Sequence, residues 1–84
     1  MRMRIREQEL GNRNIVGAKI EQRRKEIGMK QKELLELLQH NGVDLNASGL
    51  SKMEGQIRSV LDYELVALSK VLNVSVLWLL GIEE

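Results

Sequence analysis

The stretch QKELLELLQHNGVDLNASGLSKMEG, Gln31 to Gly55, decides how the chain folds. Leu34, Leu37 and Leu38 recur at three-to-four spacing with Leu35 beside them, which predicts a short helix from Gln31 to about Gln39 with one leucine face to cover. His40 to Asn46 is rich in turn formers and holds Val43 or Leu45 against the core. Asn46 is a good helix N-cap, because its side-chain oxygen accepts from a free backbone N–H one turn on. A second helix therefore runs from about Ala47 to Glu54 and stops at Gly55. Two short helices across a polar turn form a helix-turn-helix by shape, and such a pair needs support from elsewhere.

Support comes first from the N-terminal side. A helix is expected from Asn14, as N-cap, to Ile27, with Gly28 as a left-handed stop and Met29 folding back as the apolar residue after it. Its apolar stripe is Val16, Ile20 and Ile27, and the gap in that stripe is filled by Arg24. In the helix at 47–54 the inward residues are Leu50 and Met53, followed by Ile57, and Glu54 shares their face. Neither a cation nor a carboxylate is tolerated alone in an apolar layer, so Arg24 and Glu54 are expected to pair.

The C-terminal third supplies the rest. Asp62 is placed to cap a fourth helix, with Leu61 and Val66 as a hydrophobic staple and Leu65, Leu68 and Leu72 as its inner stripe. Asn73 ends that helix, and Ser75 caps a last one from Val76 to Leu80, before Gly81 and an acidic end. Trp78 reads as a core anchor for this last helix, and Tyr63 as packing on the start of the fourth. The chain has no proline, one Tyr and one Trp, and its β-branched residues follow helical spacing. The fold class is thus all-α, five helices in a compact domain spanning 14–84, preceded by a basic arm at 1–13.

Composition removes several classes of function. With 84 residues and no cysteine, the chain has one modest core and neither disulfides nor thiolate metal sites, which fits a reducing cytoplasm. No segment approaches the roughly 20 apolar residues of a membrane helix, so a soluble, cytoplasmic protein is expected. His40 is the sole histidine and reads as a turn residue, without Cys or paired carboxylates around it. A phosphate-binding glycine loop, a Cys nucleophile and a metal cluster are all missing, so no catalysis, cofactor or metal is expected. Residues 1–30 hold nine of the thirteen Lys and Arg but four of the twelve acids, an excess of +5, and the remainder carries −4. A basic end suits phosphate, and a solvated charged face gives the same count.

The order and spacing of these pieces resemble the Cro and phage-repressor type of helix-turn-helix regulator, the xenobiotic response element family of bacteria. The matching elements are Ile20…Arg23-Arg24…Ile27-Gly28-Met29-Lys30-Gln31…Leu34, Leu50-Ser51-Lys52-Met53-Glu54 and Asp62-Tyr63-Glu64-Leu65…Leu68…Leu72-Asn73-Val74-Ser75-Val76…Trp78-Leu79-Leu80. They cover about Asn14 to Gly81. The resemblance implies a lambda-repressor-like DNA-binding domain whose helix at 47–54 enters the major groove. It implies a phosphate contact for Gln31, base contacts for Ala47, Ser48 and Lys52, and phosphate contacts for Asn46, Gln56 and Arg58. It also implies the Arg24–Glu54 ion pair already expected from helix faces.

Three departures from the family pattern stand out. The turn between Leu35 and Leu50 is longer than in compact phage repressors. Glu54-Gly55-Gln56 replaces the common Glu-Asn-Gly, and Ala47, Ser48 and Gly49 are short for a base-reading face. Short side chains reach a thymine methyl or a single acceptor, but they do not make the bidentate contacts of Arg, Asn or Gln. The expected function is a sequence-specific DNA-binding regulator, a repressor, acting on double-stranded DNA as a homodimer joined through the C-terminal apolar helix. The arginines at 2, 4 and 6 would add phosphate or minor-groove contacts. The competing reading is a protein-interaction module on the same fold, for an effector, toxin or antagonist, because Val76-Leu77-Trp78-Leu79-Leu80 is apolar on every face of a very short helix.

Overall fold

A computed structural model describes residues 9–83, and over these residues every regular element is helical. The helices are α1 (Gly17–Glu26), α2 (Gln31–His40), α3 (Ala47–Glu54), α4 (Asp62–Leu72) and α5 (Val76–Leu79). α1 packs on α3 and α4, α2 packs on the same two helices, and α5 packs on α4. One core results, built from Val16 and Ile20, Leu34 and Leu38, Val43 and Leu45, Leu50 and Met53, and Ala67, Leu68, Leu72 and Leu79. Both apolar residues of the α2–α3 turn are buried, where the sequence required only one of them.

Helix ends account for most of the differences from the sequence expectation. α1 begins at Gly17 rather than directly after Asn14, yet the Asn14 side chain still accepts from the N–H groups of Val16 and Gly17 at 3.0 and 2.8 Å. At its far end, Gly28 is left-handed at φ 70°, Gly28 N–H donates to Lys25 O, and Met29 N–H reaches back to Arg24 O. That double closure turns the chain away from Ile27, which is 41% exposed instead of core. Leu37 is also outside, 40% exposed, while Leu34 and Leu38 are buried and Leu35 packs partly buried against the core. Ile57 is 58% exposed: the left-handed Gln56, at φ 61°, breaks the helical register one residue before it.

α4 starts one residue away from the expectation. Leu61 is the capping residue and Asp62 is the first helical one, its carboxylate accepting only from the neighbouring Tyr63 N–H. Leu61, Val66 and Tyr63 are all exposed, so the expected staple is absent; Val60 and Leu65, one residue earlier on each side, pack against the core in its place. Asn73 closes α4 in the left-handed region, and Ser75 Oγ accepts from Trp78 N–H to open α5. α5 ends at Leu79. That residue is fully buried, and Trp78 packs partly buried against the core with the Lys19 ammonium 4.3 Å from its ring centre.

Candidate functional site

Arg24 and Glu54 meet across the α1–α3 interface. Arg24 Nε donates to Glu54 Oε2 at 2.8 Å and its terminal nitrogen Nη2 to Oε1 at 3.0 Å, a planar fork against a carboxylate. The other terminal nitrogen, Nη1, donates to Met29 O at 3.1 Å. Gln31, the first residue of α2, donates from its amide nitrogen to Glu54 Oε1 at 3.0 Å. One buried carboxylate therefore ties α3 to both α1 and α2. The main-chain approach behind it is equally tight. A Cβ on Gly17 would lie 2.7 Å from Glu54 O and closer still to Met53 O, so only glycine lets α1 lie this near the end of α3.

Held this way, α3 turns Leu50, Met53 and Glu54 inward and leaves Ala47, Ser48, Ser51 and Lys52 exposed. Ser51 was not among the expected contacts. It shares a face with Ala47 and Ser48 by helical spacing, a signal readable in the sequence. Lys52 is the one charge that α3 presents to solvent, since its only acid is buried. Asn46 caps α3 by accepting from Gly49 N–H at 2.7 Å.

Arg58 folds back beside that cap. With Asp44, Leu45, Asn46 and Gly49 it lines an open polar cleft of about 340 Å³. Its guanidinium grips the Glu64 carboxylate with bonds of 3.0 and 3.0 Å and donates to Ser59 O at 2.9 Å. The hydrogen bond to Glu64 raises the arginine's pKa against a smaller opposing effect of burial. Burial alone pushes the Glu64 carboxyl upward, but the bonds from Arg58 and from Leu61 N–H, with the arginine's charge, outweigh it and hold the group below its ordinary range. Nothing in the sequence marked Glu64 as the Arg58 partner, because no periodicity links a loop residue to it.

Gln56 points elsewhere. Its amide oxygen accepts from Ala18 N–H at 3.2 Å and its amide nitrogen donates to Gly11 O at 3.2 Å. The Gln56 side chain, for which the resemblance implied a phosphate contact, is thus bonded at both ends of its amide to the α1 start and to the N-terminal segment. That segment is attached earlier than the expected boundary at Asn14: Gly11 N–H donates to Gly55 O and Arg13 N–H to Gln56 O, both at 2.9 Å. Asn14 completes the attachment by donating to Met53 O and Arg58 O at 3.0 and 2.7 Å. The arginines at 2, 4 and 6 lie outside the described residues.

The expected sites thus separate into four places, the first being Gln56 against the α1 start and the N-terminal segment. Ala47, Ser48 and Lys52 share the outer face of α3; Asn46 and Arg58 share the polar cleft at its start; Gln31 joins the Arg24–Glu54 pair. Among the described residues, no group of three or more His, Cys, Asp or Glu side chains is gathered to hold a metal. No helix among them is long and apolar enough to cross a membrane. No family model, curated protein or solved structure matches the chain.

Proposed function

We propose that this protein is a sequence-reading DNA-binding regulator of the Cro and phage-repressor type, a lambda-repressor-like domain that lays α3 in the major groove and acts as a repressor. The observation that carries the reading is the fixing of α3. A fully buried Glu54 binds it to Arg24 of α1 and Gln31 of α2, while Ala47, Ser48, Ser51 and Lys52 face outward and present no negative charge. A helix that reads base edges has to be held rigidly by its neighbours and be free of acids on the side that meets phosphate. Ala47 and Ser48 then offer contact to a thymine methyl or one acceptor, and Lys52 a cation one turn further on. Asn46 and Arg58, sharing the cleft at the start of α3, suit phosphate positioning. Asp44 in the same cleft and the Glu64 carboxylate bonded to Arg58 both oppose it, so phosphate there has to draw the guanidinium against two acids.

Two copies are expected on symmetry grounds, with the two α3 helices offered to half-sites about one helical turn apart. The apolar surplus of α5 is smaller than its sequence suggested, since Leu79 is buried and Trp78 and Leu80 pack on the core; Leu77 and the following Ile82 remain exposed for such a contact. The same reduction weakens the reading as a protein-interaction module alone. A salt titration of binding to fragmented genomic DNA tests the proposal: retention at low salt, falling steeply as salt rises, is expected. No retention at low salt rejects it.

A further inference from the structure

The segment ahead of α1 crosses the body as a strap, Gly11 N–H donating to Gly55 O and Arg13 N–H to Gln56 O, before Asn14 leads it into the helix. Beside that strap lies a groove that the DNA reading leaves unused. It is an open cavity of about 320 Å³ between the strap, the loop ahead of α4, Leu65 of α4 and Leu80 after α5. Small-molecule sites begin at about this size, roughly 300 Å³.

The wall of the groove is apolar. Val16 is buried, and Val60, Leu65 and Leu80 pack partly buried against the core while lining the cavity. Ile15 lines it too and is 69% exposed, more than any other large apolar side chain of the described residues except Ile82. Covering such surface is favourable, and a molecule with an apolar body would do so.

The polar groups narrow the choice further. The Asn14 amide is saturated: its oxygen accepts from Val16 and Gly17 N–H, and its nitrogen donates to Met53 O and Arg58 O. It has nothing left to offer a ligand. The Arg13 guanidinium and the Ser59 hydroxyl, in contrast, bond to nothing among the described residues, and Arg13 is the one charged residue of the lining. A sugar or a nucleotide would need more polar partners than this wall supplies. One cation and one hydroxyl beside an apolar surface suit a molecule with a single anionic end.

We infer that the groove is a binding site for a small apolar carboxylate, its body against Val16, Val60, Leu65 and Leu80 and its charged end at Arg13. The site goes beyond the proposed DNA reading and stands without it. Asn14 connects the two, since the residue that walls the groove also holds Met53 O near the end of α3.

Octanoate is the probe, with octanol and octylammonium as controls of the same apolar length, each kept below its self-association threshold. In the full chain, octanoate should shift the methyl NMR signals of Val16, Val60, Leu65 and Leu80 in a saturable titration. It should bind more tightly than octanol, and octylammonium should bind least. Arg13→Gln should weaken octanoate roughly threefold to tenfold and leave octanol unchanged, a modest factor because the cation is exposed. The variant should keep the parent melting temperature, since the Arg13 side chain makes no bond within the described chain. No saturable shift of these signals, or equal affinity for octanoate and octylammonium, overturns the inference. Octanoate affinity untouched by Arg13→Gln overturns the role of Arg13 and the ligand class with it. Shifts of the same signals on raising protein concentration without ligand would put a second copy in the groove, which overturns it too. Failure of the protein to retain DNA at low salt leaves all these results unaffected, so the two readings fail separately.

Discussion

Two arginine–glutamate forks flank α3, and they are placed differently. Arg24 grips Glu54 between α1 and α3 with a side chain 10% exposed; Arg24 also donates to Met29 O and lies 3.9 Å from the Glu21 carboxylate, and Gln31 donates to Glu54. Arg58 also grips Glu64 with two bonds, but end-on through Nη1 and Nη2 where Arg24 uses Nε and Nη2, and 28% of its side chain meets water where it lines an open cleft. A closed fork fixes a framework, because removing either partner strands a charge away from water. An open fork responds to pH, salt and anions, because its arginine already has one side in solvent. The residues offered to DNA in our proposal follow the same division: α3 takes its orientation from the closed fork, and its start is adjoined by the open one.

The largest effect should come from the closed fork. Glu54→Gln leaves the buried Arg24 with only the more distant Glu21 carboxylate, 3.9 Å from its terminal nitrogen, and should cost about 3 kcal/mol, the lower end for a broken buried pair, read as a large fall in the urea midpoint. An unchanged midpoint would mean that the pair does not hold α3. Next is the backbone approach beside it. Gly17→Ala forces α1 away from the carbonyls of Met53 and Glu54 and should cost about 1–3 kcal/mol, towards the upper end because main-chain atoms yield less than side chains.

The open fork should matter less and depend on pH. Arg58→Ala leaves a buried carboxylate with only Leu61 N–H, a cost of about 1–3 kcal/mol at neutral pH. Glu64 has a lowered pKa in the folded protein, so its stabilising contribution is present above the ordinary glutamate value of about 4.3 and is lost as pH falls through the lower folded value. Without Arg58, burial outweighs the remaining Leu61 N–H bond and lifts the folded pKa above the unfolded one, so the sign reverses and the variant should gain stability from this group as pH falls. Thermal melts from pH 7 to pH 3 of both proteins check this; parallel curves would contradict the assigned cause. The smallest change in stability is expected for Lys52→Ala, within about 0.5 kcal/mol, since the residue is exposed and makes no bond that the core requires. On the proposed reading it should nonetheless reduce sequence preference.

The two forks also mark what a sequence makes legible. Arg24 and Glu54 interrupted apolar stripes at helical spacing, so their faces alone predicted that they meet. Arg58 stands in a loop, where no period says which way a side chain turns, and Glu64 sits at a position where an acid needs no explanation beyond the helix start. Ile27 and Ile57 were misjudged for a related reason: each lies just beyond a helix end, and the stripe was carried past the turn at Gly28 or Gln56 that broke it. Gly17 gave no signal either, because a glycine in a helical pattern reads as a weak point until the neighbouring carbonyls are seen. Helix number and most of the core were legible, since both depend on repeated spacing. The strap between Gly11 and Gln56 was not, for it rests on backbone bonds and one left-handed residue.

The central claim is that the outer face of α3, held by Arg24 and Glu54, reads DNA. Selection of bound duplexes from a random pool, with affinity for the enriched sequence then followed against salt, tests it most directly. The account predicts one enriched motif of two related half-sites about a helical turn apart, with affinity that falls steeply as salt rises. A pool that stays random after selection, with no duplex retained at low salt, would contradict it.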